Sequence, residues 1–489
     1  MKKYLFITVV FLITATWSYA QTAVDALRYS QQFPGGTARY MSMGGAFGAL
    51  GADFSVVSSN PAGLGVYKGS DFIITPMIHS GQSSSLYNGM TGKDSKTNFG
   101  LGNLGYVITQ ELSSRDSQKG FRYFQFATGL NRLNDFNRRY VIQGENTENS
   151  LLDTYVEHAR GISYLDIENN TNGLYGFDLY PAWWTFLLDV DTNTNNYFSP
   201  VPNGGTLQQK YIDQWGSMNE WNFSFGTNYS EFLYLGMSFG IPWIRYFERS
   251  TYSETDVADT IYDFRKFNVY DRLETRGTGF NMKFGFIVRP ADFLRIGGSV
   301  HTPSWFVMKD YWDRYIESYF DNGDFYSQES PYGSYRYNMS TPMRLQGSIA
   351  FLFGPYGLIS GEYEYVDYSK ARFRAADYSY LSENNDISAS YGKGHNFRAG
   401  TEWRTGPVSF RAGYSWFGSP YQSGINDGAM TAYSGGIGYR DKAYYIDFAY
   451  VYTVSNEDYY LYGTENIRVN PAEMELTDHR FLLTFGIRF

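Results

Sequence analysis

The chain has no cysteine among its 489 residues. That excludes a disulfide framework, a thiolate zinc site, a cysteine nucleophile and a lipidated cysteine at Gln21 or its neighbours. Positive charge is also scarce: the net charge is −9, spread along the chain without a basic stripe, so nucleic acid is not expected as a partner. Beyond the first twenty residues no segment approaches the roughly 20 uncharged apolar residues that a membrane helix needs. There are only 5 histidines (His79, His158, His301, His395 and His479), none paired at metal-ligand spacing. No Ser–His constellation stands out either, so no catalytic residue, metal or cofactor is expected.

What is present in excess is aromatic and small. Aromatics make up 19% of the residues, with 46 Tyr, alongside 51 Gly. The opening MKKYLFITVVFLITATWSYA has two lysines, an apolar core from Tyr4 to Trp17 and a small-x-small end at Ser18–Ala20. It reads as a secretory signal cut after Ala20, its apolar core being short for a transmembrane anchor.

From Gly69 onward the sequence alternates. In DHRFLLTFGIRF the set His479, Phe481, Leu483, Phe485, Ile487 and Phe489 is mostly apolar, and the interleaved Asp478, Arg480, Leu482, Thr484, Gly486 and Arg488 mostly polar or small. Such a period of two puts one strand face in an apolar medium and the other in a polar one. Strands are predicted near 69–79, 97–109, 121–132, 217–228, 231–243, 276–289, 293–304, 335–353, 357–368, 393–404, 407–417, 430–440, 443–453 and 478–489. The links after every second strand are mostly short (YSE, PAD, GPYG, TGP, DKA), whereas others, including 133–216, 305–334 and 454–477, are long. Alternating strands of about ten residues with short and long links in turn are the pattern of a transmembrane β-barrel of about fourteen strands. A soluble β-sandwich would account for the alternation but not for the loop asymmetry. An aromatic girdle then explains the aromatic excess, with Trp221, Tyr234, Trp243, Trp403, Trp416, Tyr439, Tyr444 and Tyr452 as candidates. The terminal Phe489 fits a signal for barrel-assembly machinery, and lipid of the outer membrane is the expected surrounding of a monomer.

Two regions depart from the pattern. The late strands turn Lys283, Arg295, Glu362, Glu364, Arg398, Glu402, Arg411, Asp447 and Arg480 to the lumen, which predicts a salt-bridged, hydrated wall; the pair Glu362 and Glu364 shares one face. The first three strands, DFIITPMIH, FGLGNLGYVIT and RYFQFATGL, are apolar on both faces, so they need an apolar partner inside the barrel: an inserted segment of the chain or a greasy ligand.

The glycine-rich MGGAFGALGADFSVVSSNPAGLG (43–65) is not a phosphate loop. No buried strand precedes it, no βαβ pattern follows, and neither it nor GMTGKD (89–94) continues into Gly-Lys-Ser/Thr. It reads as a compact plug. Gly44, Gly45 and Ala46 allow close backbone approach, Phe47, Leu50 and Val56 supply apolar contacts, and Asn60 is an N-cap with Pro61 at the first helical position. Gly63 or Gly65 is expected to end that short turn.

The stretch ARYMSMGGAFGALGADFSVVSSNPAGLG resembles the N-terminal hatch of the FadL-type outer-membrane transporters, uptake channels for long-chain fatty acids and aromatic hydrocarbons. FLRIGGSVHTP (293–303), ISGEYEYVDYS (359–369) and NFRAGTEWRTGPVSFRAGYSWFGSP (396–420) are similar to the same family. The resemblance implies a fourteen-stranded barrel plugged by its N-terminal segment, with hydrophobic substrate captured outside and released past the hatch, in some members through a lateral gap at a kinked third strand. On it, Gly44-Gly45-Ala46-Phe47 and Asn60-Pro61-Ala62 match the hatch. Gly129 and Asn131 are the candidates for the kink. The family's carboxylate-holding basic residues have no match here, and the longest loop follows the third strand instead of a later one.

That loop carries YPAWWTFLLDV (180–190), in which Trp183, Trp184, Phe186 and Leu187 either form a capture surface or fold the loop over the barrel mouth. The organisation expected is therefore a signal segment 1–20, a hatch 21–68 and a barrel 69–489 in the outer membrane of a Gram-negative cell. The expected function is passive uptake of a hydrophobic small molecule without covalent chemistry; the alternative is a plugged barrel that binds a surface partner through its loops.

Overall fold

The computed structural model describes residues 21–112, 120–169, 175–464 and 466–489, so the expected signal segment 1–20 lies outside the described residues. Fourteen strands close on themselves: β1 (Asp71–Tyr87), β2 (Met90–Glu111), β3 (Phe121–Asp135, continued by Arg138–Asn146), β4 (Thr206–Tyr229), β5 (Leu233–Thr255), β6 (Lys266–Ala291), β7 (Leu294–His301 and Trp305–Tyr319), β8 (Gly333–Ser340 and Arg344–Leu352), β9 (Gly357–Asp367), β10 (Lys393–Thr405), β11 (Val408–Phe417), β12 (Met430–Arg440), β13 (Tyr444–Tyr459) and β14 (Ala472–Arg488). Each pairs antiparallel with its neighbours, and β1 closes the ring against β14 from Asp71↔Arg488 to Leu86↔Glu473. Closure leaves no sheet edge at the join, which is what an apolar solvent demands of a backbone.

Side chains alternate as the period of two requires. On β14 Phe481, Leu483, Phe485 and Ile487 are exposed while Leu482 and Thr484 are buried. On β1 Phe72, Ile74 and Ile78 are exposed and Ile73 and Met77 buried. An apolar band thus encircles the outside. No helix of the described residues is long and apolar enough to cross a membrane.

Strand existence and order follow the sequence pattern; strand length does not. Segments 133–216 and 305–334, expected as loops, contain sheet: Arg138–Asn146, the first half of β4 and Trp305–Tyr319 all continue the ladder. Ile142, Phe306, Met308 and Ile316 are buried there, but beyond Val307 no apolar set faces lipid, so the hydrogen bonds continue after the outward alternation that reveals a strand has faded. The link between β1 and β2, also expected to be longer, is a two-residue Asn88-Gly89 turn with both residues at positive φ. The true outer excursion after β3 folds over the barrel mouth, where Leu152, Tyr155, Leu179, Ala182, Leu187 and Leu188 are buried in one cluster with Ile142, Tyr252, Phe267, Ile316 and Leu476 of the strands.

Segment 21–67 contributes no strand. It contains α1 (Ala23–Ser30), α2 (Ala38–Ser42) and two 3-10 turns, Phe54–Ser58 and Pro61–Val66. It touches strands on every side of the ring, from Gly105 of β2 through Gly236 of β5 and Ser360 of β9 to Thr484 of β14. A segment with such contacts can lie only in the lumen.

Candidate functional site

The lumen segment is fitted to the wall by small residues. An added Cβ at Gly105, Gly129, Gly226, Gly236, Gly285, Gly297, Gly400, Gly413 or Gly436 would lie closer than 3 Å to an atom of Phe54, Leu64, Pro61, Asn60, Gly48, Met43, Gly44 or Ser42. Sequence reasoning missed this ring of inward glycines. Its signal was present, because a glycine inside a strand marks close approach of another backbone.

Side chains of the wall then bind the segment's backbone. Ser434 accepts from the Gly44 N–H at 3.1 Å, and Ser415 donates to the Gly44 carbonyl at 2.8 Å. Ser360 donates to Ala46 O at 2.7 Å, Glu362 accepts from Gly48 N at 2.7 Å, and Arg295 donates to Leu50 O at 2.6 Å. Gly44 and Gly45 turn the chain at positive φ (63° and 74°), where a side chain would also strike Ser415 or Pro34. Phe47 is fully buried against Tyr40, with the Arg39 guanidinium 5.1 Å from its ring centre.

Asn60 caps the turn Pro61–Val66 by accepting from Ala62 N at 3.1 Å, with Pro61 at the first turn position. Its amide donates to Gly48 O (2.6 Å) and to Phe286 O of β6 (3.1 Å), so one side chain joins two parts of the segment to the wall. Ala62 is buried against Tyr234 and Ile287. The turn runs to Val66, past the expected ends, because Gly63 serves as an acceptor for Ala52 N and Gly65 packs on Thr227.

The charged lumen residues are not a free wall. Arg39 reaches Glu402 at 2.8 Å, Glu402 also binds Arg411 at 2.6 Å, and Arg411 reaches Asp447 at 2.6 Å. Burial works against the Arg39 charge, and Glu402 more than offsets it, holding the guanidinium above its ordinary range. Arg398 joins Glu362 and Glu364, and Lys283 joins Glu220, whose carboxylate also accepts from Ser58. These groups are buried in pairs, as buried charges must be.

The wall is incomplete in one place. β2 and β3 pair only from Asn103↔Asn131 to Glu111↔Tyr123. Beyond Asn131 the third strand shifts register between Arg132 and Asn134 and turns inward, and Arg138–Asn146 then crosses the lumen face of the β1–β2 hairpin. There Ser83 and Ser85 donate to Arg139 O and Val141 O, each at 2.6 Å. Met90–Gly102 therefore pairs with β1 alone, and its other edge faces a seam bridged by Lys96 to Asp213 and by Gln143 to Thr91 O. Phe99, 76% exposed, stands at the seam within the apolar band.

Gly129 and Asn131 lie below this bend and do not form it. Gly129 and Gly105 make room for the Phe54 ring, and Asn131 donates to Ser58 at 2.8 Å while bonding Asn103. The bend is held by Asp135, which accepts from Arg132 and from Asn137 and meets His79 at 3.1 Å. Behind the seam a cleft of about 20 Å³ is lined by Pro34, Gly35, Met41, Met77, Gly102, Leu133 and Leu482, with Arg132 and Arg480. It has room for no more than a water-sized occupant.

At the outer mouth a cavity of about 510 Å³ is lined by Phe177, Trp312, Tyr332, Tyr335, Tyr378 and Tyr380, with Gln21, Asp377 and Glu383. A second, of about 170 Å³, shares Phe177 and Trp312 with it. These aromatics come from the excursion after β3, from β7, β8 and the link between them, and from the segment after β9, so no spacing in the sequence could have gathered them. The expected capture residues lie elsewhere. Leu187 is fully buried in the cluster at the barrel mouth and Trp183 stacks on Tyr164; Trp184 and Phe186 are exposed, Phe186 against Tyr326.

No protein-family model matches the chain, and no curated protein matches it. Solved structures do. A Pseudomonas aeruginosa FadL homologue superposes with a TM-score of 0.58 at 11% identity, over 94% of this chain and 100% of that one. The Pseudomonas putida toluene transporter TodX gives 0.55 at 13% identity, over 94% and 99%. The CymD monoaromatic hydrocarbon channel gives 0.51 at 11% identity over the same shares. With its closed fourteen-stranded wall and occupied lumen, the chain has the fold of the FadL-type channels.

Proposed function

We propose that the protein is an outer-membrane channel for passive uptake of hydrophobic small molecules, of the class of long-chain fatty acids or aromatic hydrocarbons. The observation that carries this reading is the unpaired edge of β2 beside the inward-bent third strand, which joins the lumen cleft to the apolar band. The aromatic cavity at the outer mouth has the volume and lining of a small-molecule site. Burying a few hundred Å² of apolar ligand surface there yields several kcal/mol at about 25 cal/mol per Å², enough to capture a ligand and still release it. The ligand then leaves sideways through the seam, which widens from its water-sized cleft to pass it. Segment 21–68 acts as the hatch, with Gly44–Phe47 and Asn60–Ala62 as its fastenings to the wall; Trp184 and Phe186 make first contact outside. The fold of the toluene and monoaromatic channels supports this assignment of class.

The test is uptake of labelled toluene and labelled oleate by cells carrying the native chain, Gly102→Leu, or no copy. A Cβ at Gly102 meets nothing nearer than 3.4 Å, so the first carbon is accommodated while the rest of the side chain overfills the water-sized cleft and opposes widening of the seam. Loss of uptake with normal barrel assembly supports the seam route. Equal uptake in all three strains, for both substrates, refutes transport.

A further inference from the structure

Four basic side chains stand directly opposite one another across four adjacent strands: Arg245↔Arg276, Arg276↔Lys309 and Lys309↔Arg336, on β5, β6, β7 and β8. All four point outward, since their strand neighbours Ile244, Thr275, Met308 and Tyr337 are buried inside. Glu274 pairs with Arg276; among the described residues Arg245, Lys309 and Arg336 have no ion-pair partner. Like charges placed directly opposite destabilise a sheet unless an anion lies between them.

Their height is informative. The row lies two residues beyond Trp243, Thr278 and Val307, and those lie two beyond the lipid-facing Ile241, Phe280 and Trp305. At about 3.3 Å per residue and a strand tilt near 40°, each basic residue stands roughly 5 Å above the residue two positions below it on its own strand, and the row, running square to the tilted strands, climbs about 9 Å from Arg245 to Arg336, through the headgroup layer on the long-loop side. The same count on the opposite wall, starting from Phe481 and Ile78, reaches Val454, Thr477, Gln82 and Ser95, all uncharged. The basic row is therefore a local feature of one side and not a general property of the rim.

We propose that this row is a binding site for the phosphate groups of a lipid headgroup in the outer leaflet. At about 4.8 Å between strands the four cations span roughly 14 Å, and guanidinium groups bind phosphate through paired N–H donors. The surface is open sheet without a pocket, so it suits a headgroup lying on the wall and not a free ion needing enclosure. The proposal rests on the outer-membrane placement above but not on transport.

Purified full-length protein in detergent is titrated with lipid A, with lipid A stripped of its phosphates, and with inorganic phosphate, and bound mass is read by native mass spectrometry. The native chain is expected to retain lipid A. Arg245→Gln/Lys309→Gln/Arg336→Gln binds it on the order of 100-fold more weakly, and the stripped lipid binds the native chain as weakly. Equal retention by chain and variant, or of both lipids, overturns the site; tight binding of inorganic phosphate overturns the lipid assignment. Should the variant fail to fold, the lipid arms on the native chain decide alone. Hydrocarbon uptake is measured separately, so its failure refutes transport without touching this result.

Discussion

Glu402 is buried with three arginines, Arg39, Arg404 and Arg411, against one carboxylate. The consequences of removing each partner are unequal. Glu402→Ala leaves Arg39 in the interior without its counter-charge and Arg411 with Asp447 alone, a loss of about 3–5 kcal/mol. Arg39→Met leaves Glu402 still paired to Arg411 and Arg404, so its cost is that of the lost packing and of the bonds to Glu402 and Ala52 O, about 1–3 kcal/mol. Thermal unfolding followed by gel migration in detergent should rank the two in that order. Asn60→Ala removes the cap and both amide bonds; about 1–3 kcal/mol of local fixation is lost. Hydrogen exchange should then rise in 44–62 while the heat-dependent gel shift of the barrel is retained.

Elements show a different logic, in which glycine and ring act as a pair. Gly105→Ala pushes a methyl into the Phe54 ring and should cost about 1–3 kcal/mol; Phe54→Leu in the same chain should recover most of it, a coupling measurable in a double-mutant cycle. This is also the scale at which the sequence was most and least legible. Strands facing lipid on one side announced themselves, as in Phe481–Ile487, because lipid enforces the alternation. Arg138–Asn146 and the part of Trp305–Tyr319 beyond Val307 did not, because no lipid-facing apolar set marks them. The NPAG turn was readable from local chemistry alone, since a cap acts within three residues. The bend at Arg132–Asn137 was not, being fixed by His79 from another strand. The outer aromatic cavity escaped for the same reason, its walls being brought together only by the ring of strands.

At the scale of the whole molecule the question is whether the lumen segment moves during transport. Its contacts run around the ring and its clearance is nil, so a permanent tether should be harmless. A Cβ at Gly48 stands 2.9 Å from the Ser348 Cβ of β8, about 0.6 Å inside the range of a disulfide, and its nearest neighbours are side-chain atoms of Ser348 and Glu362. The chain lacks cysteine, so Gly48→Cys/Ser348→Cys introduces the only two thiols. Oxidised protein should take up toluene at the rate of the reduced form; a block that dithiothreitol reverses would show that the segment must swing aside.

The glycine ring also constrains the order of assembly. Segment 21–67 leaves the ribosome before every strand it touches, yet its contacts reach as far as Thr484. A wall that fits it within van der Waals distance leaves no slack for late threading, so the segment is expected to be seated by the time Asp71 pairs with Arg488. The barrel would then be wound around its own contents. A wall expressed without residues 21–67 and given them afterwards as a peptide should fill poorly.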